Sequence, residues 1–321
     1  MANNAVYDGN DPLDYSTSMW SLSASLQPPS SMVKVDIAGG SHRGHVRKNN
    51  EDHYLAVRVY RSLQAICTNV EDPAVKPGFE ETGYGMVVAD GMGGMAAGEV
   101  ASRMALCKLV ELVVDTPAWI MKLNHREDLE MVMQRMTDRF RLVDVAIREK
   151  MESNASLAGM GTTLTAAASL GAHLFIGHIG DSRAYLLRAK KLHQLTKDHT
   201  LAQALIDAGI TTRDQPDQHR TRHVLTAALG SLGKPTDPQV QRIDLMNGDQ
   251  VLLCTDGLTE MVKEDVICSA LLEADTSASA CQTLVDLALA GGGTDNVTVV
   301  LARYEFPPHY IQSDPAEITE S

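Results

Sequence analysis

Four times in this chain an apolar, strand-like run stops at an aspartate set against glycine or a small polar residue: Asp90 before Gly91, Asp181 before Ser182, Asp256 before Gly257 and Asp295 before Asn296. One such Asp-Gly step is an ordinary turn. Four of them imply strands whose ends gather several carboxylates at one edge of a sheet. Like charges so placed repel strongly in a partly dehydrated setting unless cations lie between them. Oxygen-rich sites of this kind suit hard divalent ions, which points to Mg²⁺ or Mn²⁺. Glycine beside an aspartate lets the backbone come close, so the carbonyl of Gly91 is itself a candidate ligand.

The strand pattern recurs at 33–37, 54–60, 84–89, 163–168, 173–179, 184–187, 251–254 and 297–302, as short apolar runs bounded by turn formers. Helices are expected at 99–114 and 127–151. In the second, Leu129, Val132, Met133, Met136, Phe140, Val143, Ile147 and Met151 recur at three- and four-residue steps, which puts them on one face. Its methionines read as core filling. Strands and long helices come in blocks rather than in alternation, so the expected class is α+β with antiparallel sheets.

The chain has 321 residues, and its ends differ from its middle. Residues 1–31 and 305–321 are polar and proline-containing without periodicity, and read as flexible tails around one domain spanning 32–304. Inside that domain, 61–83 reads as a polar insertion between strands. The stretch 196–238, rich in Arg, His, Gln and Pro with one short helix, reads as a flap-like segment.

Composition excludes several functions. With 28 basic and 41 acidic side chains the net charge is −13, which argues against a nucleic-acid or anionic-membrane surface. Cys67, Cys107, Cys254, Cys268 and Cys281 form no C-x-x-C pair, so a disulfide framework and a thiolate zinc site are both disfavoured. The first basic residue is Lys34, so no signal peptide is recognisable, and no apolar run reaches bilayer length. A cytoplasmic protein is expected. Cysteine-based phosphatase chemistry needs C-x₅-R, but the residues six beyond the cysteines are Pro73, Val113, Glu260, Ala274 and Leu287.

A further polar cluster runs from Gly44 to Asp52 and holds Arg47, Glu51 and Asp52. It could be a turn opening the next strand. It could equally pair a guanidinium suited to phosphate with two acids that order metal-bound water.

Taken in order, the blocks GHVRKNNEDHY, YGMVVADGMGG, GMGTTLTAA, LFIGHIGDSRAYLL, LTKDH, RHVLTAALG, VLLCTDGLTE and GGTDNVTVV make the chain resemble the metal-dependent serine/threonine protein phosphatases of type 2C, the PPM family, in its bacterial form. The resemblance spans nearly all of 32–304. It implies a four-layer α/β/β/α sandwich with two central antiparallel sheets, and hydrolysis of phosphoserine and phosphothreonine in proteins by a metal-activated water. It also implies two core Mn²⁺ or Mg²⁺ ions with a third beside them. Asp90 and the Gly91 carbonyl, Asp256 and Asp295 would hold the core ions, with Asp52 and Glu51 reaching them directly or through water. Asp181 would bind the third ion, with Asp256 shared, Arg47 would bind phosphate, and Asn296 would support the ligands. The implied partners are phosphorylated proteins and a serine/threonine kinase, with no nucleic acid, no membrane and a monomeric chain. One departure stands out, because the histidine that many members place in or just after the D-G-x-G-G block is replaced here by Met92 and Met95.

Two other readings compete. Gly91, Gly93 and Ala96 fit the G-x-G-x-x-A of a dinucleotide-binding oxidoreductase, but Asp90 would then face a pyrophosphate and the other aspartates would be unexplained. An inactive phosphatase-like module that binds phosphoproteins is the second alternative, yet its signature would be loss of the metal aspartates, and all are present.

Overall fold

The computed structural model describes residues 30–64, 66–67, 78–93, 97–115, 126–212, 221–231 and 237–308. The elements in order are β1 (Lys34–His42), β2 (Asp52–Gln64), β3 (Gly78–Met92), α1 (Ala97–Val114), α2 (Arg126–Ser153), β4 (Gly161–Thr162), β5 (Leu164–Leu170), β6 (His173–Ile179), β7 (Arg183–Arg188), β8 (Lys191–Gln194), α3 (Leu201–Asp207), β9 (Gln239–Asp244), β10 (Gln250–Cys254), α4 (Asp256–Thr259), α5 (Glu264–Glu273), α6 (Ser277–Ala290) and β11 (Val297–Glu305).

The strands form two antiparallel sheets. One has the order β1-β11-β10-β7-β8, the other β2-β3-β5-β6-β9 with β4 paired to β3. Three apolar layers bind the stack. Between the sheets lie Met86, Val88, Leu174, Ile176, Leu186, Leu253 and Val300, which are inward positions of strands whose other faces meet helices. Outside the second sheet, α1 and α2 cover Val87, Ala89 and Phe175. Outside the first, α5 and α6 cover Tyr185, Leu252, Val299 and Leu301. The fold is therefore the expected α+β four-layer sandwich. All eight periodic residues of α2 sit in the layer between that helix and its sheet.

Some expectations need correction. Residues 61–64 and 78–83 lie within the expected insertion but are strand, pairing Arg61 with Glu81 and Gln64 with Gly78 in an extension of the β2–β3 hairpin. Their polarity misled because the hairpin tip has little core to cover. The connection 65–77 is described only at 66 and 67. The strands β8 and β9 and the helices α5 and α6 were not anticipated. The expected tails fall outside the described residues at 1–29 and 309–321, while Ser30–Met32 forms a short 3₁₀ turn whose Ser30 hydroxyl accepts from the backbone N–H of Thr82. In the flap-like segment the expected short helix is α3, and 213–220 and 232–236 lie outside the described residues.

Candidate metal centre

Because the strands are antiparallel, one edge of the sandwich collects the start of β2 and β11 and the end of β3, β6 and β10. Asp52 and Asp90 face each other across β2 and β3 as a direct register pair. Asp181 follows β6, and Asp256 follows β10 after Thr255. Asp295 precedes β11 instead of ending a strand, which corrects the sequence pattern. It reaches the same edge because β11 runs opposite to β10.

A single open cleft at this edge is lined by Arg47, Glu51, Asp90, Gly91, Met92, Thr163, Asp181, His223, Asp256, Glu260, Asp295 and Asn296, among others. Asp52 lies beneath it and is buried. The predicted residues are thus brought together. Met92 lines the cleft, whereas Met95 lies outside the described residues.

The carboxylates are placed where their charge is costly. Burial, only partly offset by hydroxyl hydrogen bonds, pushes Asp52 up to about 7. Burial, with Glu260 and Asp295 nearby, does the same to Asp256, again to about 7. Asp90 and Asp181 are raised well above the ordinary carboxylate range by burial first and by neighbouring aspartates second. Burial also raises Glu51 and Glu260. Oδ1 of Asp52 and Oδ1 of Asp256 are buried with no hydrogen-bond partner. A buried acceptor left bare costs about 1–3 kcal/mol, a cost that a cation held by these oxygens would remove. The donor set is all oxygen, and it fits Mg²⁺ or Mn²⁺ rather than a thiolate metal.

Backbone and hydroxyl groups hold this arrangement. Thr255 donates its hydroxyl to Oδ2 of Asp52 at 2.8 Å and accepts from the Thr298 N–H at 3.0 Å. Thr163 accepts from the Asp90 N–H at 2.9 Å and shares a 2.8 Å bond with the Ser182 hydroxyl, so one side chain ties the Asp90 and Asp181 turns together. Thr162 donates to the Asp90 carbonyl at 2.8 Å. Those two threonines, read from sequence as plain strand, are supports of the site, and Thr255 was missed altogether. Only Thr255 adjoins one of these aspartates in the sequence, whereas Thr162 and Thr163 reach Asp90 across 72 and 73 positions and carry no local signal.

Gly91 is required by packing, since a Cβ there would fall 2.2 Å from the Gly98 carbonyl oxygen in the first turn of α1. The loop bearing Arg47 and Glu51 is fixed by buried Asn296. Its Oδ1 accepts from the Glu51 N–H at 2.7 Å, and its Nδ2 donates to the carbonyls of Arg43 and Asn49 at 2.8 and 2.9 Å. Gly44 in the same loop has φ +79°, and a Cβ there would come 2.2 Å from the Asp295 carbonyl. Arg47 donates to Oδ2 of Asp295 at 2.6 Å.

The histidines divide. His178 is buried, bonded to Thr165 and the Lys197 carbonyl, and driven down to about 3 by burial and then by His199. His199 stacks on it at 5.0 Å and accepts from the Gly180 N–H at 3.0 Å, bracing the turn before Asp181. His45 packs against Gly293. His223 and Glu260, which the sequence reading did not single out, are in the cleft, with Nδ1 2.8 Å from Oε1.

A sequence model of the family described as Protein phosphatase 2C matches residues 77–286. The chain belongs to the protein phosphatase 2C family. The protein is similar to the serine/threonine protein phosphatase PstP of Mycobacterium tuberculosis (strain H37Rv), 38% identical over 266 residues that cover 83% of this chain and 44% of that protein. The chain thus spans less than half the length of that relative. It is 33% identical over 261 residues to the serine/threonine phosphatase stp of Listeria monocytogenes serotype 4b, covering 81% of this chain and 92% of that protein. Among solved structures, the catalytic domain of PstP in complex with 2 manganese ions is 35% identical with a TM-score of 0.66, covering 85% of this chain and 99% of that one. Membership of this phosphatase 2C family sets aside the dinucleotide reading. Among the described residues no helix is long and apolar enough to cross a membrane.

Proposed function

We propose that this chain hydrolyses phosphoserine and phosphothreonine monoesters in proteins with the help of Mn²⁺ or Mg²⁺. The observation that carries the reading is the set of carboxylates gathered at and beneath one cleft from the starts and ends of neighbouring strands, two of them with bare buried oxygens, in a chain of this family. Asp90, Asp256 and Asp295, with the Gly91 carbonyl, would hold two core cations, Asp52 and Glu51 supplying direct or water-mediated contacts. Asp181, sharing Asp256, would hold a third. Bound there, the cations neutralise the carboxylates, acidify water and polarise the phosphoryl oxygens.

The remaining work falls to the protein. Arg47 offers a planar fork to the phosphate oxygens once Asp295 is engaged elsewhere. Thr163 and Thr255 fix the carboxylates, and Asn296 fixes the loop that carries Arg47. The partners are phosphorylated proteins, with a serine/threonine kinase opposing the reaction; the chain is read as a monomer, and a cytoplasmic setting agrees with five free cysteines. An inactive phosphoprotein-binding module is less well supported, because every carboxylate of the site is in place. The test is phosphate release from a phosphothreonine peptide with Mn²⁺, with Mg²⁺ and with excess chelator. Release only with metal is expected, and no release under any condition would reject the reading.

A further inference from the structure

The geometry points to His223 as the proton donor to the leaving serine or threonine oxygen, a role that rests on the phosphatase reading above. Serine departs as a strongly basic alkoxide and needs a proton as the P–O bond breaks, whereas a nitrophenolate leaves without one. Of the groups around the cleft, the aspartates and Glu51 would be ionised by the cations they hold, Glu260 is engaged by His223, and Arg47 does not release its proton at neutral pH. Met92 has none to give. His223 carries the only imidazole among the described residues that line the cleft.

Its placement is specific. Nδ1 lies 2.8 Å from Glu260 Oε1, so that nitrogen is occupied, and among the described residues Nε2 has no hydrogen-bond partner. A carboxylate behind an imidazole fixes the orientation of the ring. The ligand atoms of His223, Glu260 and Asp256 all lie within 4.8 Å of one another, which puts the ring next to the carboxylate cluster.

The backbone under His223 is anchored on both sides, with Ala202 N–H donating to the Thr221 carbonyl at 3.2 Å before it. Leu201 N–H donates to the Val224 carbonyl at 2.8 Å, and Thr226 N–H to the His199 carbonyl at 2.8 Å. Further on, Leu229 exchanges two backbone bonds with Thr162 of β4, and Gly230 N–H donates to buried Asp144 of α2 at 2.7 Å. The imidazole is therefore carried by a fixed turn, although its side chain is 54% exposed.

In the step, a water oxygen bonds to phosphorus as the P–Oγ bond breaks. The bonding pair stays on Oγ, which takes the proton from Nε2. The proton lost by the attacking water restores the imidazolium through solvent, so phosphoserine and water give serine and inorganic phosphate.

The experiment uses the full chain with saturating Mn²⁺ and two substrates, a phosphothreonine peptide and nitrophenyl phosphate. His223→Gln should lower kcat on the peptide by about a hundredfold, the scale of general acid catalysis, and change nitrophenyl phosphate turnover by less than about threefold. Glu260→Gln should shift both in the same direction but less. Mn²⁺ affinity, titrated calorimetrically, should stay within about twofold in His223→Gln. Aryl phosphates with leaving groups of rising basicity should slow more steeply in His223→Gln than in wild type. Equal losses on the two substrates, an unchanged peptide rate or a lost metal ion would each overturn the assignment. Wild-type protein inert on both substrates would instead remove the phosphatase reading, and this role with it.

Discussion

The Thr255 hydroxyl donates to Oδ2 of Asp52 at 2.8 Å, and this bond joins the two sheets at the point where the carboxylates gather, since Asp52 opens β2 of one sheet and Thr255 follows β10 of the other. Thr255 also accepts from the Thr298 N–H, so it satisfies one buried donor and one buried acceptor at once. Thr255→Val keeps the shape and deletes both bonds. The expected loss is about 1–3 kcal/mol of unfolding free energy in urea, together with weaker Mn²⁺ binding. A variant as stable as wild type, with the same Mn²⁺ affinity, would show that Asp52 is held by other contacts.

The raised carboxyls make a prediction about pH. For Asp52 and Asp256, protonation near 7 in the metal-free fold stands above the unfolded value near 3.8, so the folded state binds more protons between those two points. These groups therefore stabilise the metal-free fold fully below about pH 4, and that contribution is lost as pH rises toward about 7. His178 works in the opposite sense. Its neutral burial is lost to protonation of the unfolded chain as pH falls from 6.5 toward about 3, so a bare melting curve mixes both effects.

Metal titration separates them. A cation must displace the carboxyl protons, and its apparent affinity should fall by up to about tenfold per pH unit for each proton displaced below about 7. Calorimetric titration with Mn²⁺ in buffers of different ionisation heat should detect proton release at pH 6 and little at pH 8. Equal affinity and no release at both values would contradict the raised carboxyls.

Much of the centre was legible because its logic is local: an aspartate at a strand end beside glycine marks both the turn and the charge, which is how Asp90, Asp181 and Asp256 were found. Asp295 was found for the wrong reason, since it precedes its strand. What stayed hidden depends on register and on distant segments. Nothing local to Thr255 announces that β10 will lie across from Asp52, 203 positions away. In sequence His223 is one more polar residue of the flap-like segment, and only the bonds of the turn at 221–226 to α3 and to the His199 carbonyl hold it at the cleft. Periodicity gave α2 readily because its apolar face covers a sheet. The short α5 and α6, rich in small residues such as Ser277, Ala280 and Ala288, carry a weaker pattern although they bury as well.

Gly91 tests the packing that sets the cleft floor. A methyl group there would have to displace the Gly98 carbonyl, the Glu51 carbonyl or both, which lie 2.2 and 2.7 Å from the ideal Cβ, and neither belongs to a flexible side chain. Gly91→Ala should therefore shift α1 away from β3 and destabilise the domain by about 1–3 kcal/mol, the usual cost of overpacking. Gly209→Ala has open space around its Cβ and serves as the control, with strain arising only from its φ of +68°. If Gly91→Ala unfolds at the same urea concentration as wild type, the close approach of β3 and α1 is not needed.

Arg47 and Asp295 set the last test, because in the metal-free fold they satisfy each other at 2.6 Å while being proposed to serve different ligands, phosphate for one and a cation for the other. Metal binding at Asp295 must then compete with the guanidinium, and the released Arg47 becomes available to substrate. Removing the arginine should consequently leave Mn²⁺ affinity equal to wild type or a few-fold tighter, since an exposed pair of this kind holds Asp295 by only about 1 kcal/mol. The same Arg47→Ala variant should raise KM for a phosphothreonine peptide by about tenfold or more, because a charge-assisted contact to phosphate is lost. Arg47→Lys should restore part of the KM, but not the bidentate share. Weaker Mn²⁺ binding with unchanged KM in Arg47→Ala would make the residue a brace for Asp295 and remove it from phosphate recognition.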